Sequence, residues 1–163
     1  GADANTAISQ VVAEANHIEW RQLVLLDSSG SFALHTGEKV LGRHATAEGK
    51  QCVAAANLLD NENVPRAMVT AFEQSYGHLA HRLITALEAG ITEGGEEGPV
   101  RSAGVKVVHT VSWPIVDLRV DWDDEPISKL RTIWKEYLPQ IEPYLTRALN
   151  PEAAPSYGVP GDL

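Results

Sequence analysis

The stretch Arg21–Gly37, RQLVLLDSSGSFALHTG, predicts a β-hairpin around which the rest of the chain can be interpreted. The apolar run at 23–26 is typical of a strand that is buried on both faces. A tight turn is predicted from Asp27 to Gly30, because glycine tolerates a positive φ and an aspartate side chain accepts hydrogen bonds from nearby backbone. Residues 31–36 then alternate large apolar side chains with smaller or polar ones, as a second strand would.

Composition excludes several classes of protein. The 163 residues fit one domain, and 44% hydrophobic with 21% charged residues is ordinary for a globular chain. A net charge of −9 argues against a nucleic-acid partner, because the phosphates would repel it. No apolar run is long enough to suggest a membrane partner. The single cysteine, Cys52, rules out an internal disulfide and favours a cytoplasmic location.

The other segments predict a helix, then several strands, two helices, two strands and a last helix. Helices are predicted from Asp3 to about Ala15, over 65–75, over 78–89 with Gly90 closing it, and from Asp124 onward with breaks at Pro139 and Pro143. Strands are predicted over 51–57, 102–109 and 115–120, and an irregular rim over 38–47. This order favours an α+β fold, either two antiparallel sheets covered by helices or one sheet with helices on one side. One domain is predicted over 1–149, followed by a Pro/Gly-rich tail at 150–163.

Motifs for metals and nucleophiles are weak. His78 and His81 would share a helix face, but no nearby Cys or acidic group completes a metal site. The acidic run at 121–125 lacks the glycine and the spacing of a calcium loop. Cys52 lies in an apolar segment, which is typical of a small core residue rather than of a nucleophile. We therefore predict no metal and no cofactor.

Polar side chains at strand ends point more directly to a site. They are Arg21, Gln22, His35, Asn57, Ser102, Asp117 and Arg119. Asp117 and Arg119 would share one strand face, which solvation alone would explain. Asn57 follows four small apolar residues, so we predict a buried amide that must find partners. Such an amide is suited to donate a hydrogen bond to a developing oxyanion.

Several motifs, in the same order, resemble an uncharacterised bacterial family known as domain of unknown function 1028. They are RQLVLLDSSGSFALHTG, Gly42-Arg-His44, Ala-Asn57-Leu-Leu, LITALEAGITEGGEEGPVRSAG and VDLRVDW. The ending TRALNPEAAPSYGVPGD resembles that of one subgroup, so the resemblance covers essentially the whole chain. One departure lies before Ser102, where many relatives have a Gly-Arg-Gln-Ser pattern and this chain has Gly-Pro-Val-Arg-Ser.

The resemblance implies membership of the N-terminal-nucleophile (Ntn) hydrolase superfamily and a four-layer αββα sandwich. In that superfamily a Thr, Ser or Cys at the mature N-terminus attacks an amide, and its own α-amine acts as the base. Gly1 has no side chain that could do this. We therefore expect this chain to be the larger C-terminal part, with the nucleophile and the first strands in a segment before Gly1. That segment would be missing here or form a separate N-terminal chain of the same gene product.

The function implied by the resemblance is hydrolysis of a small-molecule amide or other C–N bond, in a bacterial homo-oligomer. Asn57 would be the catalytic oxyanion donor. Arg21 and Arg119 would bind a substrate carboxylate, while His35 and Ser102 would line the site. The alternative is a non-catalytic binding or accessory protein that keeps the sandwich and has lost the chemistry.

Overall fold

A computed structural model describes residues 1–159, and the chain divides into two compact units, Gly1–Val100 and one that begins at Arg101. Three antiparallel hairpins of two strands each, together with five α-helices, are seen in the described part. The predicted α+β class is therefore confirmed. Among the described residues no helix has both the length and the apolar character needed to cross a membrane.

The first hairpin is the one predicted from 21–37. It consists of β1 (Gln22–Leu26) and β2 (Phe32–Thr36), with Leu25 opposite Ala33. Helix α1 (Ala4–Glu14) covers one face, where Ile8 and Ala33 are buried. The prediction that β1 is buried on both faces is wrong. Its other face leaves Val24 37% and Leu26 51% exposed, because no element of this unit covers it to the same depth.

The second hairpin contains a strand that the sequence analysis missed. Strand β3 (Ala45–Gly49) pairs with β4 (Cys52–Ala56), so the irregular rim predicted over 38–47 ends at the start of β3. Small residues allow helix α2 (Val64–Gln74) to pack close to this hairpin. A Cβ on Gly49 would lie 2.6 Å from Val69 Cγ1, so any other residue there would force neighbouring side chains to move.

Helices α2 and α3 (Leu79–Thr92) pack on each other and complete the first unit. Asn63 precedes α2 as predicted, with Pro65 in its first turn. Gly90 does not close α3 as predicted, since the helix continues to Thr92. Gly90 is buried where a Cβ would lie 3.0 Å from Met68 Cγ. Close packing between two helices therefore accounts for this glycine.

The second unit is a hairpin with helices. Strands β5 (Ala103–Val107) and β6 (Val116–Val120) bury valines on the face that meets helix α4 (Pro126–Tyr137), whose Trp134 is 1% exposed. A 3₁₀ turn around Pro139 separates α4 from α5 (Ile141–Leu149), so the predicted break there is confirmed. The predicted break at Pro143 is wrong, because Pro143 lies in the first turn of α5, where the missing N–H costs no helical hydrogen bond. Helix α4 begins at Pro126 without a side-chain cap, and Asp124 pairs with Arg101 instead of capping it.

The predicted tail packs partly against α5. Arg147 donates to the carbonyl oxygen of Pro155, and its guanidinium carbon lies 4.2 Å from the centre of the Tyr157 ring. A short 3₁₀ turn spans Pro151–Ala153. Residues 160–163 of the tail lie outside the described residues. The single domain over 1–149 stays a prediction.

Candidate functional site

The first unit brings the ends of its two hairpins together. Gln22, the first residue of β1, donates through Nε2 to Thr36 Oγ1 at 3.5 Å and to the Ala45 carbonyl oxygen at 3.4 Å. Ala45 pairs with Ala56, and Asn57 follows Ala56 directly. Four strand ends therefore meet around Gln22, and we call Gln22, Thr36 and Asn57 the strand-end cluster.

Asn57 is half-buried, not fully buried as predicted. Its Nδ2 donates to the carbonyl oxygen of Leu41 at 3.3 Å, which is a long hydrogen bond. The same oxygen accepts the backbone N–H of Leu58 at 3.2 Å. A loop before β3 therefore holds both the side chain of Asn57 and the backbone that follows it.

Arg21 and His35 belong to the opposite side of the first hairpin. His35 pairs with Leu23, one residue along from the Gln22–Thr36 pair, and successive side chains of a strand alternate between its faces. The ring Nε2 of His35 lies 3.4 Å from the Ile18 carbonyl oxygen. Arg21 is exposed and precedes β1 in extended backbone, so alternation places it on the face of His35. The hairpin separates this pair from the strand-end cluster.

Ser102 and Arg119 lie in the second unit. Ser102 is exposed just before β5. Arg119, on β6, makes an ion pair of 3.2 Å with Asp121, and both side chains are largely exposed. On the same strand Asp117 pairs with Lys106 at 3.0 Å. Ion pairs of this kind are typical of a strand face that is exposed to solvent. The roles assigned to Ser102 and Arg119 stay predictions.

Cys52 has the environment of an inert thiol. Burial raises the pKa of its thiol, and the nearby Glu73 carboxylate raises it further. Glu73 is held in place by the backbone N–H of Lys50, which donates to its Oε1 at 2.7 Å. The thiolate that nucleophilic attack requires is thus disfavoured here. In the described part of the chain no three His, Cys, Asp or Glu side chains are grouped to hold a metal ion.

Sequence reasoning missed two members of the cluster. Gln22 was noted as a strand-end residue but received no role, and Thr36 received none either. The hydrogen bond from Gln22 to Ala45 joins residues 23 positions apart, which no local pattern reveals. The one available indication was that Gln22 and Thr36 flank the same hairpin at equal distances from its turn.

Comparison with known proteins identifies a family for this chain. A model of a family of unknown function, DUF1028, matches residues 1–130. No curated protein matches. A crystal structure of a Silicibacter pomeroyi protein, described by the same family, superimposes with a TM-score of 0.76 at 28% identity. The match covers 84% of this chain and 59% of that one, so this chain spans less than two thirds of its relative. Because the family model matches most of the sequence, this chain belongs to the DUF1028 family of unknown function.

Proposed function

We propose that this chain is the larger part of an Ntn-type amidohydrolase that cleaves a small amide or another C–N bond. This chain belongs to the DUF1028 family, and the Ntn superfamily is what the sequence resemblance to that family implies. The observation that carries it is the meeting of four strand ends at Gln22, Thr36 and Asn57. Such a meeting brings the Gln22 amide to the pair of strand ends that Asn57 directly follows, and side-chain amides are donors of the kind that stabilise an oxyanion.

The proposal includes a four-layer αββα sandwich and a nucleophile in a segment before Gly1, within one chain or as a separate N-terminal chain. Paired strands with helices on one face are compatible with half of such a sandwich. The solved relative contains residues without a counterpart here, which are the natural place for the nucleophile. A cytoplasmic location and assembly into a homo-oligomer belong to the same proposal.

Asn57 and Gln22 have different tasks in this proposal. Asn57 donates an Nδ2 hydrogen to the substrate oxygen as negative charge develops on it, and Gln22 binds the substrate amide. Their present hydrogen bonds, 3.3 to 3.5 Å long, are weak enough to be exchanged for bonds to a substrate. The substrate-binding roles of Arg21, His35, Ser102 and Arg119 remain part of the proposal from sequence alone.

A non-catalytic binding or accessory protein is the second candidate. The described chain supplies no cysteine nucleophile of its own, because burial raises the pKa of the Cys52 thiol. A binding protein would use the same strand-end cluster without a nucleophile.

The test compares two asparagine variants of the gene product that includes the preceding segment. A library of small amides is screened for amine release, and Asn57→Ala is then assayed on any substrate found. We expect kcat to fall about 10²–10³-fold with an unchanged circular dichroism melt. Asn5→Ala, on the exposed face of α1, is the matched control and should keep full activity. Unchanged turnover in Asn57→Ala would remove Asn57 from the site. Absence of a Thr, Ser or Cys to act as nucleophile upstream would favour the binding protein.

A further inference from the structure

Leu58 has a backbone conformation that leucine rarely adopts. Its φ is +54°, in the left-handed region, where the Cβ of an L-residue is crowded. Glycine or asparagine would adopt this φ at lower cost. Burial of the side chain does not explain the choice of leucine, because Leu58 remains 44% exposed. Strain of this kind persists only where the surroundings impose it, and it concentrates at functional sites.

Two loops impose this conformation from opposite sides. The N–H of Leu58 donates to the Leu41 carbonyl oxygen, and the N–H of Glu97 donates to the Leu58 carbonyl oxygen at 2.7 Å. Gly42, itself at φ +71°, lies against Leu58, where a Cβ on Gly42 would be 3.0 Å from Leu58 Cα. The next residue, Leu59, is fully buried and makes a bridge with Glu96.

The same contacts fix the side chain of Asn57. The Leu41 carbonyl oxygen accepts both the Leu58 N–H and the Asn57 Nδ2 hydrogen, so a shift of Leu58 changes the acceptor that orients the amide. We propose that Leu58, held against Gly42, is a positioning residue that fixes the direction of the Asn57 amide. The inference rests on the proposed function only where it assumes that the Asn57 amide donates to a substrate.

A simpler role for the left-handed conformation of Leu58 would be to turn the chain as it leaves β4, so that Leu59 enters the core. The two roles differ in what glycine would do. Glycine allows the turn equally well, but it frees the backbone next to Asn57. A role confined to the turn therefore predicts no change in the Asn57 amide, whereas a positioning role predicts that the amide becomes mobile.

The experiment follows the Asn57 side-chain amide by ¹⁵N–¹H NMR in the full chain, with its signals assigned by their loss in Asn57→Ala. In Leu58→Gly we expect hydrogen exchange of Nδ2 to be about fivefold faster, the change expected when one ordinary hydrogen bond is lost. Gln51→Gly is the matched control, because Gln51 has φ +56° in the turn between β3 and β4 and does not hold Asn57. Leu58→Asn, which tolerates the same φ, should keep the slow exchange.

Each outcome decides the proposal. Faster exchange in Leu58→Gly but not in Gln51→Gly or Leu58→Asn supports it. Equal exchange in all three variants, or equal acceleration in both glycine variants, overturns it. If Leu58→Gly does not fold, Gly42→Ala disturbs the same contact from the other side and must accelerate the exchange as well. No substrate is needed, so a failure here is distinct from a failure of Asn57→Ala to lower turnover.

Discussion

The carboxylate of Asp27 ties the turn of the first hairpin to the start of α1, because its Oδ2 accepts the Ala4 N–H at 3.3 Å. Its Oδ1 accepts the N–H and the hydroxyl of Ser29 and the N–H of Ser31. The hydroxyl of Ser29 is the largest of the influences that lower the pKa of Asp27 below 3.8, and the backbone bonds lower it further. One side chain thus organises the turn and orients the first helix on it.

We predict that Asp27→Asn lowers the Tm near neutral pH and that the difference from the wild type narrows in acid. The folded-state pKa is below the unfolded value, so the stabilisation is present above about pH 3.8 and is lost as pH falls through the folded pKa. Thermal melts between pH 6 and pH 2.5 would measure the difference. Asp121→Asn, in the second unit, is the control. A difference that stays constant across this range would show that the charge of Asp27 does not matter.

We predict that Gly37→Ala destabilises the fold by about 2 kcal/mol or more. A Cβ on Gly37 would lie within 3 Å of the backbone of Glu19, which also accepts the N–H of Lys39 and cannot easily move. Urea unfolding monitored by circular dichroism would measure the loss. Gly104→Ala, where the nearest atom to a Cβ is 3.3 Å away, should cost much less. Equal losses in the two variants would contradict the close contact.

We predict that Leu25→Ala costs about 2 kcal/mol and Leu26→Ala less than about 1 kcal/mol. Leu25 packs against the cluster that α1 forms with the hairpin, whereas Leu26 is on the exposed face. Urea melts of the purified chain would compare the two. If Leu26→Ala costs as much as Leu25→Ala, the exposed face of β1 is covered in solution by another polypeptide.

We predict that Cys52 is alkylated slowly by iodoacetamide in the native protein, with a pH midpoint above that of the urea-unfolded chain. Burial and Glu73 both raise the pKa of the thiol, and only the thiolate reacts. Glu73→Gln should move the midpoint downward. Mass spectrometry at successive times would follow the reaction, and a native midpoint at or below that of the unfolded chain would revive Cys52 as a nucleophile.

The first hairpin could be predicted because its information is local. Asp27 and Gly30 favour one turn, and the apolar pattern on either side fixes the register. Strand β3 could not be predicted in the same way, since its sequence ATAEG contains small and charged residues that favour no strand by themselves. It forms because β4 pairs with it and α2 packs on the hairpin.

The candidate site, like the fold, could be predicted only where the information is local in sequence. Asn57 could be selected because an amide after a run of small apolar residues is unusual. Its partner is a backbone carbonyl 16 positions away, which carries no side-chain pattern at all. The left-handed Leu58 was also invisible, because leucine is among the residues least expected to adopt that conformation.

His17 and Gln51, like Leu58, have a positive φ without being glycine. Unlike Leu58, neither holds Asn57, so glycine at these two positions would relieve strain and leave the strand-end cluster unaltered. A chain with both substitutions would remain folded with more destabilising substitutions elsewhere. Substitutions at the strand-end cluster could then be introduced into this stabilised sequence. Variants that are too unstable to purify from the natural sequence would become soluble enough to assay.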